Sequence, residues 1–366
     1  MAANPETHDC IIVGASFAGL ACAFALARRG FKVRVLEKRA DACEKLRTTG
    51  IIVRDALDHI ALLDELPAGL TREIPAVRLH APNLRSVRLQ SPGYYFLATD
   101  TPGVMRWLAT RAQEAGAEIA YRSPFTAARR LRGGWDLSAQ GRCRFLVGAD
   151  GARSAVAKAL GLGLNQRLLH GIEYEYRLAP HGPRLQEPDA LQCFVDRDLA
   201  PGYIAWLLQG VDHLQAGLAR REQRPARALK PAMLRFLTRI VAMVPLAGHK
   251  PEAVRAGPIP CGGPVWPLST CRALLVGDAA GLVSPLTGGG IHTALHYGLA
   301  AGHAVADFLE GRSLVPAGQL VQSYPRFRAK RMLRLAFDRL QSDWMFNALL
   351  STRFMRHLAR RIYFHR

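Results

Sequence analysis

Short apolar runs ending in glycine punctuate the chain. Cys10–Val13 reads CIIV, a continuous apolar stretch of strand length. The turn Gly14-Ala15-Ser16-Phe17-Ala18-Gly19 breaks it, and the Ala-rich stretch Ala18–Arg29 predicts a helix closed by Gly30. FKVRVLE then alternates as a second strand ending at Glu37. Two later apolar strands behave alike: FLV runs into Gly148-Ala149-Asp150-Gly151, with Arg153 and Ser154 starting a helix, and RALLV runs into Gly277-Asp278. A loop with Pro285 and the triplet Gly288, Gly289 and Gly290 follows, and an apolar helix starts at Ile291.

Between these pieces, Val77–Leu97 and His170–Leu218 carry strand alternation, as in Ile172-Glu173-Tyr174-Glu175-Tyr176, and predict an inserted sheet domain. Arg220–Arg239 is basic and reads as a helix with a solvated face. From Pro325 to Arg366 apolar residues recur at helical spacing among arginines: Met332, Leu335, Leu340, Trp344, Phe346, Leu349, Leu350, Phe354, Met355, Leu358 and Ile362.

Composition narrows the class. The 366 residues are 49% hydrophobic and 21% charged, globular values with room for a large core or two intertwined domains. The formal charge is +20, and eleven Arg and Lys between Arg326 and Arg366 face only Asp338 and Asp343. That local basic face suits anionic lipid before nucleic acid, because no nucleic-acid motif accompanies it. The seven scattered cysteines, never paired as CxxC, argue against a disulfide framework or a zinc site and for a reducing, cytoplasmic setting. Cys10–Ala27 carries no charge over 18 residues, but Glu6, His8 and Asp9 precede it where a signal peptide has basic residues. His292 and His296 stand i, i+4, a metal spacing without an evident third ligand; a solvent-facing or structural role is the expectation, with proton donation near a cofactor as the alternative.

The first turn has the form GxGxxG-x3-A-x6-G, with Ser16 at the second glycine, Ala23 and Gly30 in register and an acid at Glu37. Strand, turn, helix and strand in this order make a dinucleotide-binding unit, with Glu37 expected on the adenosine ribose and the Ser16 hydroxyl able to donate to a phosphate. The second and third motifs separate FAD from NAD: a ribityl chain far from the adenosine needs further polar anchors. The Gly288–Gly290 turn opening a helix offers backbone N–H groups and a positive dipole end to an anion.

These three motifs, GASFAG…E, VGADGARS and VGDAAGLVSPLTGGGI, resemble the FAD-dependent hydroxylase superfold typified by p-hydroxybenzoate hydroxylase. Within it the third is most similar to the geranylgeranyl reductase family, over roughly residues 8–305. The resemblance implies an α/β fold: a Rossmann-like FAD-binding domain (1–75, 98–168, 255–310), an inserted α+β substrate domain (76–97, 169–254) and C-terminal helices (311–366). It implies cofactor binding by Gly14, Ala15, Ser16, Gly19, Glu37, Lys38, Arg47, Thr48, Asp150, Gly151, Gly277, Asp278, Pro285, Gly288, Gly289, Gly290 and Ile291. Asp278 is expected at the ribityl or pyrophosphate region, with Gly290 and Ile291 at the flavin pyrimidine edge.

Three positions depart from the family. Thr48 stands where an Arg-Cys-Gly stretch has cysteine, and Thr101 where an arginine precedes a helix; Arg106 lies on that helix. The family's GYxWxFP becomes Gly202-Tyr203-Ile204-Ala205-Trp206-Leu207-Leu208. On a strand that spacing sends Tyr203 and Trp206 to opposite faces, as core aromatics or with one lining a substrate cavity. The implied activity is reduction of C=C bonds in an apolar, prenyl-type substrate, with NADPH or another donor reducing FAD. The alternatives are an aromatic or polyketide monooxygenase on the same fold, and a binding module without cofactor. The C-terminal helices either dock on the inner face of a membrane or pack on the FAD domain with arginines outward.

Overall fold

The computed structural model describes residues 6–179, 182–221, 229–246, 248–314, 316–350 and 352–364. The chain forms two compact units: Met1–Lys45, Pro102–Arg167 and Pro260–Arg328 in the first, Leu46–Thr101, Leu168–Ile259 and Ala329–Arg366 in the second. Residues 46–75 and 329–366 thus cluster with the sheet domain.

The first unit is built on an eight-stranded sheet. At its centre the strands Arg142–Gly148, Thr7–Val13 and Val33–Leu36 are parallel neighbours, with Ala273–Leu275 and Glu118–Ala120 parallel outside them. Parallel strands put all their carboxyl ends on one edge, where open α/β sheets bind ligands. The helix Phe17–Ala27 is buried along its whole length. Ser16 caps it by accepting the Gly19 N–H, and Gly30, at φ 79°, ends it in the left-handed conformation. Its alanines face another helix, Ile291–Leu309. Gly298 and Gly302 of that helix leave no room for a side chain: a Cβ at 298 would lie 2.5 Å from the Ala18 carbonyl oxygen, and one at 302 only 2.6 Å from the Ala25 Cβ. The uncharged run Cys10–Ala27 is therefore a strand and a helix parted at Gly14, and no described helix is long and apolar enough to cross a membrane.

The second unit holds a seven-stranded sheet in the order Ala253–Pro260, Leu168–Arg177, His213–Arg221, Ala205–Gln209, Ala190–Phe194, Ala76–His80, Ser86–Gln90. One face packs on the helix Leu229–Arg239 through Ile172, Tyr176, Phe194, Met233 and Phe236. Arg220 and Arg221, expected in that helix, end the strand His213–Arg221; residues 222–228 lie outside those described. The other face meets the C-terminal helix Arg353–Phe364, whose buried Phe364 sits 5.5 Å from the Tyr94 ring and 5.8 Å from Phe96. So that helix packs within the second unit; of the predicted stripe, the Leu349 side chain lies outside the described residues.

Candidate functional site

The three glycine motifs converge at the carboxyl edge of the first unit's sheet. Gly14 (φ 106°) follows the Thr7–Val13 strand, and a Cβ on it would stand 2.5 Å from the Ala149 carbonyl oxygen. A Cβ on Gly19 would stand 2.0 Å from the Gly14 oxygen. These glycines let the first and second motifs touch through backbone alone.

Ser16 does not do what its position predicted. Its hydroxyl donates to Ala149 O at 3.0 Å while accepting from Gly19 N at 3.2 Å, so it ties two motifs together instead of being free for a phosphate. Glu37 is likewise engaged. Its carboxylate accepts Ala15 N and Arg39 N, each at 2.9 Å, and is gripped by the Arg39 guanidinium at 2.9 and 3.0 Å. Burial works against the anion, yet the hydrogen bonds and charge of Arg39 hold its pKa below the usual range. Arg39 thus stands beside Glu37, where sequence reasoning saw only the acid; the flanking Lys38 is exposed.

Asp150 accepts Ser154 Oγ at 2.6 Å and the amides of Ala155 and Val156, capping the short helix Ala155–Ala159. Its carboxylate anchors protein, while Gly151 beside it adopts φ 87°. Asp278 is the opposite case. Its carboxylate accepts no hydrogen bond from the described residues, and burial pushes its pKa up to about 6. A half-buried carboxylate without donors among the described residues fits a ligand that brings hydroxyls. Asn165, which no motif announced, bridges Ala152 O at 3.0 Å and Asp278 O at 2.9 Å, fixing the second motif to the third.

The glycine triplet is partly self-satisfied. Gly288 N donates to Ser284 O and Ser284 N to Gly289 O, while Thr293 Oγ1 bonds Leu282 O and Gly290 O. The amides of Gly290 and Ile291 reach no acceptor among the described residues and open a 19-residue helix, an anion-ready terminus. On that helix His292 is half-buried and His296 exposed, their rings 6.4 Å apart.

Arg47, Thr48, Tyr203 and Trp206 belong to the second unit. The Arg47 stem lies against Gly257, where a Cβ would meet its Cδ at 2.8 Å. Thr101 is buried and hydrogen-bonds Thr99 Oγ1 at 3.1 Å, packed on Gly50. Tyr203 precedes the strand Ala205–Gln209, so strand alternation does not govern it; it is buried, 6.0 Å from the Arg334 guanidinium. Trp206 is on the strand. Its ring covers Gly217, which it faces across the strand pair, and its Nε1 donates to Glu173 Oε2 at 2.8 Å.

That contact belongs to a buried polar network that sequence reasoning missed, although two acids alternating with apolar residues on one strand were its visible signal. Glu173 also accepts Thr49 Oγ1 at 2.6 Å. Arg255 grips Glu175 at 2.8 and 2.9 Å and donates to Thr48 O, and Gln215 donates to Glu175 Oε1 and Thr49 O.

Comparison with known proteins agrees with this geometry. Residues 7–202 match the family model described as FAD binding domain. The chain is 30% identical to digeranylgeranylglycerophospholipid reductase 2 of Methanopyrus kandleri, over 82% of this chain and 78% of that protein. Its fold is similar to a geranylgeranyl bacteriochlorophyll reductase-like protein from Thermoplasma acidophilum (TM-score 0.82, 20% identity, 98% and 97% of the two chains). It is also similar to a probable FAD-dependent monooxygenase from Pseudomonas aeruginosa (TM-score 0.70, 19% identity, 95% and 100%).

Proposed function

The chain belongs to the FAD-binding oxidoreductases of the geranylgeranyl reductase type, and from that premise we propose that it saturates C=C bonds of a prenyl lipid, with NADPH or another electron donor as reductant. The observation that carries the FAD half is the edge where Gly14, Gly19, Asp278 and the Gly290–Ile291 amides meet. When bound, FAD supplies the hydride for the double bond. The protein's own groups bind and orient it. The Phe17–Ala27 helix start receives the pyrophosphate, with Arg39 and Glu37 at the adenosine end. Asp278 takes hydroxyls of the ribityl chain, and the Ile291 helix terminus favours negative charge at the flavin pyrimidine edge. The same reading gives Trp206 to the substrate side.

Asp278 gives this reading a pH signature. Its folded pKa, about 6, is raised above the ordinary 3.8. The flavin-free protein therefore carries no penalty where the carboxyl is neutral in both states, and loses stability as pH rises from about 4 through about 6. Asp278→Asn is expected to melt higher than the parent at neutral pH in the flavin-free form, with the gap closing near pH ~4, and to bind FAD more weakly. Equal melting temperatures at neutral pH count against the assignment.

The lipid half rests on the relatives and on one inverted helix. In Arg328–Leu340 the buried residue is Arg334, paired with Asp338 at 3.2 Å, while Met332 (72% exposed), Leu335 and Leu340 face outward. Trp344 (78%) and Phe354 (75%) are further exposed apolar side chains among the C-terminal arginines, a combination suited to an anionic bilayer. Dithionite-reduced enzyme, held anaerobic, is expected to be reoxidised by a digeranylgeranylglycerophospholipid. Trp344→Glu with Phe354→Glu slows this for lipid in anionic vesicles but not in detergent micelles. Reoxidation by oxygen alone, with hydroxylated product, supports the monooxygenase reading instead; equal slowing in both media removes the membrane role.

A further inference from the structure

The parallel strands of the first unit have a second edge, at their amino ends and opposite the glycine motifs, and it gathers charge. Glu6 stands just before the strand Thr7–Val13 and His8 within it, Arg34 lies in Val33–Leu36, and Glu118 opens the outer strand Glu118–Ala120. His8 is 1% exposed, and neither of its ring nitrogens has a hydrogen-bond partner among the described residues. A neutral imidazole carries one donor and one acceptor, so a buried ring left like this forfeits both. Its Nδ1 lies under Gly141, where a Cβ would stand 3.5 Å away. Its Nε2 faces two carboxylates: Glu118 Oε2 lies 3.6 Å from it and Glu6 Oε2 4.0 Å. Those separations are too long for hydrogen bonds. They are close to what a shared ion needs, because tetrahedral zinc with bonds of about 2.0–2.2 Å holds its donor atoms about 3.4 Å apart. The nitrogen and one oxygen of each acid all lie within 4.8 Å of one another. Both acids are half-exposed, so their carboxylates are free to close the remaining gap while the buried ring stays fixed.

We propose that Glu6, His8 and Glu118 bind a divalent transition-metal ion of the zinc class, which ties the strand Thr7–Val13 to the outer strand of the same sheet. The site lies within the first unit and is independent of the reduction proposed above. Its donor set is one imidazole and two carboxylates, with no sulfur, so cysteine spacing gives no sign of it. The nitrogen ligand selects against magnesium and calcium, which take oxygen. Water completes the coordination. Arg34 and Lys32 are the competitors of the ion. Arg34 donates to both Glu118 oxygens at 2.8 and 2.9 Å and to Glu6 Oε2 at 3.1 Å, and Lys32 donates to Glu6 Oε1 at 2.6 Å. Neither cation bonds the His8 ring, so the ion pairs satisfy the acids and leave the imidazole orphaned. A metal ion satisfies all three. Arg34 also donates to Gln140 O at 3.3 Å, a contact it keeps when the ion takes the carboxylates. The role is structural: the site joins strand ends and lies at the far edge from the glycine motifs.

The test uses the full chain without a tag, stripped with EDTA and titrated with zinc by calorimetry, with the melting temperature read alongside. One equivalent is expected to bind and to raise the melting temperature, and magnesium to do neither. Glu118→Gln and His8→Asn are expected to weaken zinc binding about 100-fold. Should His8→Asn not fold, Glu118→Gln decides, because that position is half-exposed. Arg34→Gln is expected to bind zinc more tightly than the parent, since a competing charge is gone. X-ray absorption of the zinc-loaded protein is expected to show nitrogen and oxygen neighbours at about 2.0–2.2 Å and no sulfur. A parent whose melting temperature ignores zinc overturns the proposal. So does equal affinity in Glu118→Gln, which assigns the ion to others of the chain's 12 histidines. Unchanged affinity in Arg34→Gln overturns it too, because an ion on these carboxylates must feel that guanidinium.

Discussion

Gly19→Val is expected to yield a protein that purifies colourless and stays so after FAD is added. The reason is a collision that nothing can relieve cheaply. The new Cβ would sit 2.0 Å from the Gly14 carbonyl oxygen and 3.1 Å from the Ala149 Cβ, so it meets backbone, not the end of a flexible side chain. The only escape is to part the first turn from the second motif. That breaks the Ser16 bridge to Ala149 and the helix cap, which alone contributes about 1 kcal/mol. Overpacking of this kind costs a further ~1–3 kcal/mol in stability. The expected loss in FAD affinity is larger, because the amides proposed to receive the pyrophosphate shift with the turn. Flavin absorbance after dialysis against FAD, beside the melting temperature, separates the effects. A yellow Gly19→Val protein with parental affinity would show that this turn does not bind the cofactor.

The second large effect lies in the other unit. Arg255→Ala is expected to destabilise the protein by about 3–5 kcal/mol, because it leaves the buried Glu175 carboxylate without its cation. The loss spreads further than one pair. Arg255 also holds Thr48 O, and Gln215 holds Thr49 O, so the 47–50 segment loses an anchor and the remaining charge presses on Glu173. The pair Arg255→Met with Glu175→Met, which removes both charges and keeps volume, is expected to recover much of the stability, since a buried ion pair is often no better than a packed apolar one. Chemical denaturation of the three proteins measures this. If the single variant costs no more than a surface change, the pair is not the strut it looks to be.

Much of the first unit was legible because its signals are local. A strand, a glycine turn, an alanine-rich helix and a closing acid all fall between Cys10 and Glu37, and each constrains its neighbour. What local signals hid was the use of the polar groups. Ser16 and Asp150 stand where ligand contacts are expected, yet their oxygens serve partners distant or adjacent in the chain, Ala149 and the Ala155 helix start. Hydrogen-bond partners 133 residues away leave no mark in a motif. The aromatic pair misled for another reason. Strand alternation does not reach across Tyr203–Trp206, because the strand begins at Ala205, and the Trp206 ring is placed by the missing side chain at Gly217. At the C-terminus the stripe of apolar residues was plain, but periodicity does not say which side of a helix is covered. Arg334 inside and Met332 outside answered that only through the partners Asp338 and Tyr203.

The contact between the helices Phe17–Ala27 and Ile291–Leu309 also bears on how the protein is made. Gly298 and Gly302 nestle against Ala18, Cys22 and Ala25, residues synthesised some 275 positions earlier. On the ribosome the Gly14 turn emerges some 275 residues before the Gly288–Gly290 turn, so the helix Phe17–Ala27, apolar on every side, waits for its cover over that interval. At ~5–20 residues per second that interval is tens of seconds. A nascent chain with so long a wait is a natural client for a chaperone, and truncation before about residue 309 should leave an aggregating fragment, not a smaller nucleotide-binding domain.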